Sequence, residues 1–149
     1  MAGTLKVKIE EEIILNNQNY GSKRTLSIAS VAEIYKRIVN VPAGGDTTIA
    51  TFAAAVSTSD GAFDVNDVRY IRLTNLDSSN SVNVAMVGAS DNAQFVVPAG
   101  VSLMFGTPDD FMLGEADTSP AFSSFEDLAS IIVDSGSNAV DVELFIASV

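Results

Sequence analysis

The chain has no cysteine, no histidine and no tryptophan. Without cysteine there is no disulfide, no thiolate zinc site and no thiol nucleophile, and without histidine there is no imidazole base. The missing tryptophan removes the best stacking platform for a sugar ring. Cations are scarce as well: eight Lys and Arg stand against nineteen Asp and Glu, a net charge of −11. So acidic a surface repels phosphate, which predicts no direct nucleic-acid partner. No stretch approaches the ~20 consecutive apolar residues of a membrane span. Lys6, Lys8 and Glu10 to Glu12 interrupt what would be the apolar segment of a signal peptide. The expectation is a soluble chain made in a cytoplasm, with no membrane partner.

What is present is strand-forming. The 149 residues suffice for one domain that buries on the order of two-thirds of its unfolded surface. Small and β-branched residues dominate, which suits short strands joined by polar turns. Leu5, Val7, Ile9, Ile13 and Leu15 alternate with Lys6, Lys8, Glu10 and Glu12, the period-two pattern of a half-buried strand. Glu11 falls on the apolar side, which implies a partly covered face or a bulge at that point. Asn16 to Ser22 supplies turn formers, a short strand is expected over Arg24 to Ile28, and another over Glu33 to Val41. Val68 to Val87 has the pattern of a β-hairpin, two alternating arms around the polar cluster Asn75 to Ser81. Phe125 to Leu128, following Ser124, is expected to open with a short helical turn.

An internal echo organises the rest. Val41-Pro42-Ala43-Gly44 recurs as Val97-Pro98-Ala99-Gly100, and the 68–87 pattern recurs over Ser130 to Ile146, at offsets of 56 and 60 residues (97 − 41 and 131 − 71). Two similar four-strand units in tandem are the simplest reading. The expected fold is therefore all-β: a single antiparallel β-sandwich over residues 1–149, jelly-roll-like, of about eight to ten strands, with 1–22 as an extended N-terminal arm.

Charge is placed unevenly along the chain. Residues 1–40 carry six cations against four acids, whereas residues 41–149 carry only Arg69 and Arg72 against fifteen acids. That asymmetry fits plain solubility, or a basic N-terminal segment that docks on an acidic partner. The segment 106–124 is long and acidic, yet it contains Phe111, Met112 and Leu113, so it packs under itself or on a partner.

Catalytic constellations are hard to assemble from what is left. Paired carboxylates run glycoside hydrolysis, and Asp109-Asp110 with Glu115 and Asp117 is the richest acidic group. Adjacent acids in a loop rich in Gly, Pro and Ser are ordinarily just exposed. Asp60, Asp64 and Asp67 place hard oxygen atoms close together but do not match the calcium-loop spacing, because Val68 stands where a ligand belongs. The reading predicts no enzyme, no cofactor, no catalytic residue and no metal ligand.

At Val68-Arg69-Tyr70-Ile71-Arg72-Leu73-Thr74-Asn75-Leu76, preceded by Arg37-Ile38-Val39-Asn40-Val41-Pro42 and closed by Asp141-Val142-Glu143-Leu144-Phe145-Ile146, the chain resembles small structural proteins of tailed bacteriophages, especially cyanobacterial phages. The similarity covers most of the chain from about residue 33 onward. It implies a β-sandwich component of the virion: a head decoration (cement) protein that binds the major capsid protein and copies of itself, a trimer being favoured. A tail or neck part is the alternative within virions, and a carbohydrate-binding module the alternative outside them. Partner contacts are expected at Lys6, Lys8, Lys23 and Arg24 in the N-terminal segment and at Phe111, Met112 and Leu113 in the acidic loop.

Overall fold

A computed structural model describes residues 1–55, 61–110 and 125–149. Among these the chain forms thirteen strands: β1 (Gly3–Glu11), β2 (Ile14–Leu15), β3 (Gln18–Asn19), β4 (Ser22–Val31), β5 (Glu33–Val41), β6 (Asp46–Ala53), β7 (Phe63–Asp64), β8 (Val68–Asn75), β9 (Val82–Val87), β10 (Asn92–Val97), β11 (Ser102–Phe105), β12 (Ser130–Asp134) and β13 (Val140–Ser148). A five-stranded sheet runs β10-β9-β12-β6-β7 and a four-stranded sheet runs β11-β8-β13-β5. Leaving aside β7, the chain from β5 onward supplies the strands of a jelly roll, two four-stranded sheets filled by a chain that keeps crossing between them. The all-β sandwich expected from the sequence is the fold.

The core lies between the sheets. Ile71, Leu73, Val142, Leu144 and Ile146 of the four-stranded sheet face Val82, Val84, Met86, Ile131 and Val133 of the five-stranded one, and all are buried. Alternation along each strand puts these residues on one side. A side chain of this kind contributes roughly 1.5–3 kcal/mol when fully buried.

The expected hairpin is corrected. Val68 to Val87 is not a hairpin, because β8 pairs with β11 and β13 while β9 pairs with β10 and β12 in the opposite sheet. The same holds for Ser130 to Ile146, where β12 and β13 belong to different sheets. Alternating arms around turn formers describe a hairpin and a cross-sheet arch equally well. Burial separates them: in an arch the two apolar faces meet across the core, as Leu73 and Val84 do here, instead of lying side by side.

The echo in the sequence survives this correction in another form. The first unit contributes β5 and β8 to the four-stranded sheet and β6 and β9 to the five-stranded sheet; the second contributes β10 and β12 to the five-stranded sheet and β11 and β13 to the other. Replacing β5, β6, β8 and β9 by β10, β11, β12 and β13, and the reverse, converts one sheet order into the other. The two units interleave and do not stand side by side. Both Pro-Ala-Gly turns cross between sheets, and their glycines sit at φ 74° (Gly44) and φ 71° (Gly100), where a side chain is strained.

The N-terminal 31 residues stand apart from the sandwich. β1 pairs with β4 from Gly3↔Val31 to Glu11↔Ser22, and β2 with β3 beyond it, so this segment is one long two-stranded hairpin. Asn16 (φ 52°) and Asn17 (φ 60°) close it, the left-handed pair of a tight hairpin turn. The register shift lies between Gly3 and Leu5, not at Glu11. Glu11 therefore keeps its place on the apolar side, where it is exposed and accepts a hydrogen bond from Ser22 Oγ at 2.6 Å. Ala29 to Arg37, which has helical spacing, is strand on both sides of Ala32, because Ile34 to Val41 pairs with β13 over its whole length.

Candidate interaction surface

The two outer faces of the sandwich differ in chemistry. On the five-stranded sheet, Asp46, Asn83, Asn92, Gln94 and Asp134 line a shallow cleft with the small side chains Ala85 and Val87. Among the described residues, that cleft is lined by amides and carboxylates and by no ring. Of the three tyrosines, Tyr70 is 7% exposed under the arm, Tyr35 packs edge-on against Phe63 with centroids 5.1 Å apart, and Tyr20 stands on the tip of the hairpin. They do not converge as a stacking platform.

The four-stranded sheet turns out a different surface. Register places Tyr70, Arg72 and Thr74 of β8 beside Ala147, Phe145 and Glu143 of β13, then Ile34, Lys36 and Ile38 of β5, with Met104 and Ser102 of β11 on the other side. An ion-pair network crosses its middle: Glu143 binds Arg72, and Lys36 at 3.2 Å. Arg72 also lies 5.8 Å from the Phe145 ring centroid. The hydrogen bond from Arg72, first of all, holds the Glu143 carboxyl below the usual carboxylate range, helped by Lys36. Burial pushes the Tyr70 hydroxyl up.

The hairpin rests on this sheet by its root. Val31, Tyr70 and Ala147 form a small buried cluster against which Leu5, Val7, Ile28 and Phe145 pack. Farther out the hairpin leaves the body, and its apolar side continues uncovered through Ile9 and Leu26 to Ile13, Leu15 and Tyr20 at the tip, where Ile14 is exposed on the other face beside Asn19. Ile14 is 69% exposed, Tyr20 60% and Leu15 57%. Where hairpin and sheet diverge, a cleft of about 380 Å3 opens, lined by Val7, Ile9, Leu26, Tyr70, Met104 and Phe105, with Arg24 at its edge.

The residues singled out from the sequence divide as follows. Lys6, Lys8, Lys23 and Arg24 all lie on the hairpin, but on two faces. Cross-strand partners share a face, so Lys6, Lys8 and Lys23 belong to the polar side with Ser27, Thr25 and Glu10, whereas Arg24 is opposite Ile9 on the apolar side. Lys23 is engaged with Glu10 at 2.6 Å. Phe111, Met112 and Leu113 lie outside the described residues, as do Glu115, Asp117 and Asp60. The apolar tip, Ile13 to Leu15 with Tyr20, was passed over as strand end and turn. Its signal was there in three consecutive apolar residues beside two asparagines.

Several other acids hold turns or loops together. Asp64 accepts from Asn66 N at 2.9 Å. Asp77 accepts from Ser79 N and Asn80 N, each at 2.7 Å, and these backbone bonds lower its carboxyl. Asp109, Asp110 and Asp127 come within reach of one another, all exposed, and desolvation first, then the neighbouring Asp110 and Asp127, raise Asp109. Phe125 to Leu128, expected as a helical turn, is not helical and has a single bridge at Glu126. Glu126 uses that conformation to accept from Ser90 N and Asp91 N, both at 3.1 Å, which anchors the β9–β10 loop.

No protein-family model matches the chain, and no curated protein does. Among solved structures the chain is similar to a component of Bacillus endospore appendages, described as a novel family of disulfide-linked pili, at 12% sequence identity over 77% of this chain and 87% of that one, with a TM-score of 0.41.

Proposed function

We propose that this chain is a non-enzymatic virion structural protein, a decoration protein that binds the capsid lattice of a tailed phage. The observation that carries the reading is the hairpin: a two-stranded arm that, among the described residues, packs on the body by its root and presents an exposed apolar tip. An arm of this form gives a rigid body a second point of attachment, and on a repeating lattice many modest contacts add up to full occupancy. Three further features support it. The chain has no histidine or cysteine for general-base or thiol chemistry. Asp64, Asp77 and Glu126 serve turns and loops. Its strand and turn patterns resemble those of small phage structural proteins.

The test is cosedimentation of the purified protein with capsids stripped of their accessory proteins, with copies counted against the major capsid protein. Saturable binding at a fixed ratio to capsid subunits is expected. Absence of binding to heads overturns the decoration role, and the same assay on isolated tails then decides whether the chain belongs to them.

A further inference from the structure

We infer that the hairpin tip of one copy seats in the cleft at the hairpin root of a second copy, so that the chain assembles head to tail through its own arm. The inference deepens the assembly reading above and rests on it, but it concerns the protein without capsids. The tip is a knob with Ile13, Leu15 and Tyr20 on one face and Ile14 on the other, all exposed. The cleft is an apolar recess of Val7, Ile9, Leu26, Tyr70, Met104 and Phe105. At about 380 Å3 it sits at the small end of the ~300–1,000 Å3 range of ligand pockets.

Charge favours a second copy over another occupant. Along the hairpin Lys6 and Lys8 lie toward the root and Glu11 and Glu12 toward the tip, with Arg24 and the Lys23–Glu10 pair between them. Lys23 faces Glu10 within the arm, and no ion pair engages Arg24 or Glu12 among the described residues. When a tip enters a neighbour's cleft, its glutamates arrive beside that neighbour's Arg24. The arm cannot fill its own cleft. Ile9 at the cleft and Ile14 at the tip are five residues apart, roughly 17 Å at ~3.3 Å per residue of extended chain, and β1–β4 and β2–β3 pairing keep the two strands of the hairpin together over that stretch. A knob and a hole on different parts of one surface make a heterologous contact, which closes into a ring or continues as a filament.

The chain lacks cysteine, so single introduced cysteines report contacts without background. Ile14→Cys and Met104→Cys are made separately, mixed, and mildly oxidised without capsids; both positions are exposed, so folding is unaffected. A disulfide-linked pair containing one of each is expected, formed well ahead of a control mixture of Ile14→Cys with Ala85→Cys on the opposite sheet. In sedimentation, Ile14→Asp should weaken self-association by about ten- to a hundredfold. Arg24→Glu should weaken it less, and mixing with Glu12→Arg should restore it. A wild-type chain that is monomeric at all concentrations overturns the inference. So does linkage of Ile14→Cys mainly to itself, or linkage to Met104→Cys no faster than the control. Capsid binding by a chain that fails these tests would leave the decoration role standing, with the arm seated on capsid protein.

Discussion

Asn75 and Ser135 do the same work at corresponding places in the two halves of the sandwich. Each is the last or next residue of a strand leading into a cross-sheet arch, and they are the two buried polar residues of the described chain. Asn75 Nδ2 donates to Val97 O at 3.1 Å, just before Pro98; Ser135 Oγ donates to Pro42 O at 2.9 Å. The glycine of each Pro-Ala-Gly turn returns a bond to the arch, Gly100 N to Asn75 O and Gly44 N to Gly136 O. The two arches also touch, through Asn138 Nδ2 and Asn80 Oδ1. One end of the jelly roll is thus closed by two copies of one device.

The two residues are not equally costly to lose. Asn75 also donates to Asn80 O at 2.8 Å and accepts from Asp77 N at 3.0 Å, whereas Ser135 makes one side-chain bond. Asn75→Ala should destabilise by about 2–4 kcal/mol and Ser135→Ala by about 1 kcal/mol, since a buried group left unsatisfied costs ~1–3 kcal/mol. Urea unfolding checks this: the midpoint should fall in that order with the slope unchanged.

Gly88 and Glu126 form one unit. A Cβ on Gly88 would lie 2.0 Å from Glu126 Oε1, so Gly88→Ala must drive the carboxylate off the Ser90 and Asp91 amides. Each of Gly88→Ala and Glu126→Ala should cost roughly 1–3 kcal/mol. The double variant should cost no more than the worse single one, because the same bonds are lost. Full additivity in the cycle would show that the glycine matters for another reason.

How much of this could be read beforehand follows from what periodicity encodes. Glu33 to Val41 was readable because β-branched residues outweighed the helical spacing of Val31, Ile34 and Ile38, and full-length pairing with β13 agrees. The jelly-roll architecture was readable from strand spacing and the echoed Pro-Ala-Gly turns. Pairing was not. Nothing local in Val68 to Val87 tells whether Leu73 and Val84 lie side by side or face each other across a core. The arm was half legible: alternation marked β1, but its partner β4 has mostly exposed residues and so a weak pattern. The docking cleft joins Ile9, Leu26, Tyr70 and Met104, residues that only tertiary structure brings together.

Two carboxyls should pull acid stability in opposite directions. Glu143 is depressed in the folded state by Arg72 and Lys36, so its contribution is present above the ordinary value of 4.5 and is lost as pH falls through the lower folded value. Asp109 is raised by desolvation and by Asp110 and Asp127, so its folded state gains as pH falls and loses as pH rises through the raised value. Glu143→Gln should therefore lower stability at neutral pH, and the gap to wild type should close in acid below pH 4.5. Asp109→Asn should raise stability at neutral pH, an advantage that disappears in acid. Thermal melts of both variants from neutral to acid pH read the two signs directly.

The hairpin should be separable from the sandwich by a single methyl group. A Cβ on Gly21 would lie 2.2 Å from Glu11 O, a backbone atom that cannot swing aside, so Gly21→Ala must break the β1–β4 ladder at its outer end. The lesion is far from the root, where Leu5, Val7 and Ile28 hold the arm on Tyr70 and Ala147. Backbone amides from Ile9 to Lys23 should then exchange with solvent faster in the variant, while those of β8, β12 and β13 keep their protection. The global unfolding midpoint should stay within the ordinary range of a surface change, about 0.5 kcal/mol. Self-association should fall with the tip displaced, which links the geometry of one glycine to assembly. Unchanged exchange in the hairpin would mean that the ladder absorbs the methyl group by bulging, and self-association should then persist.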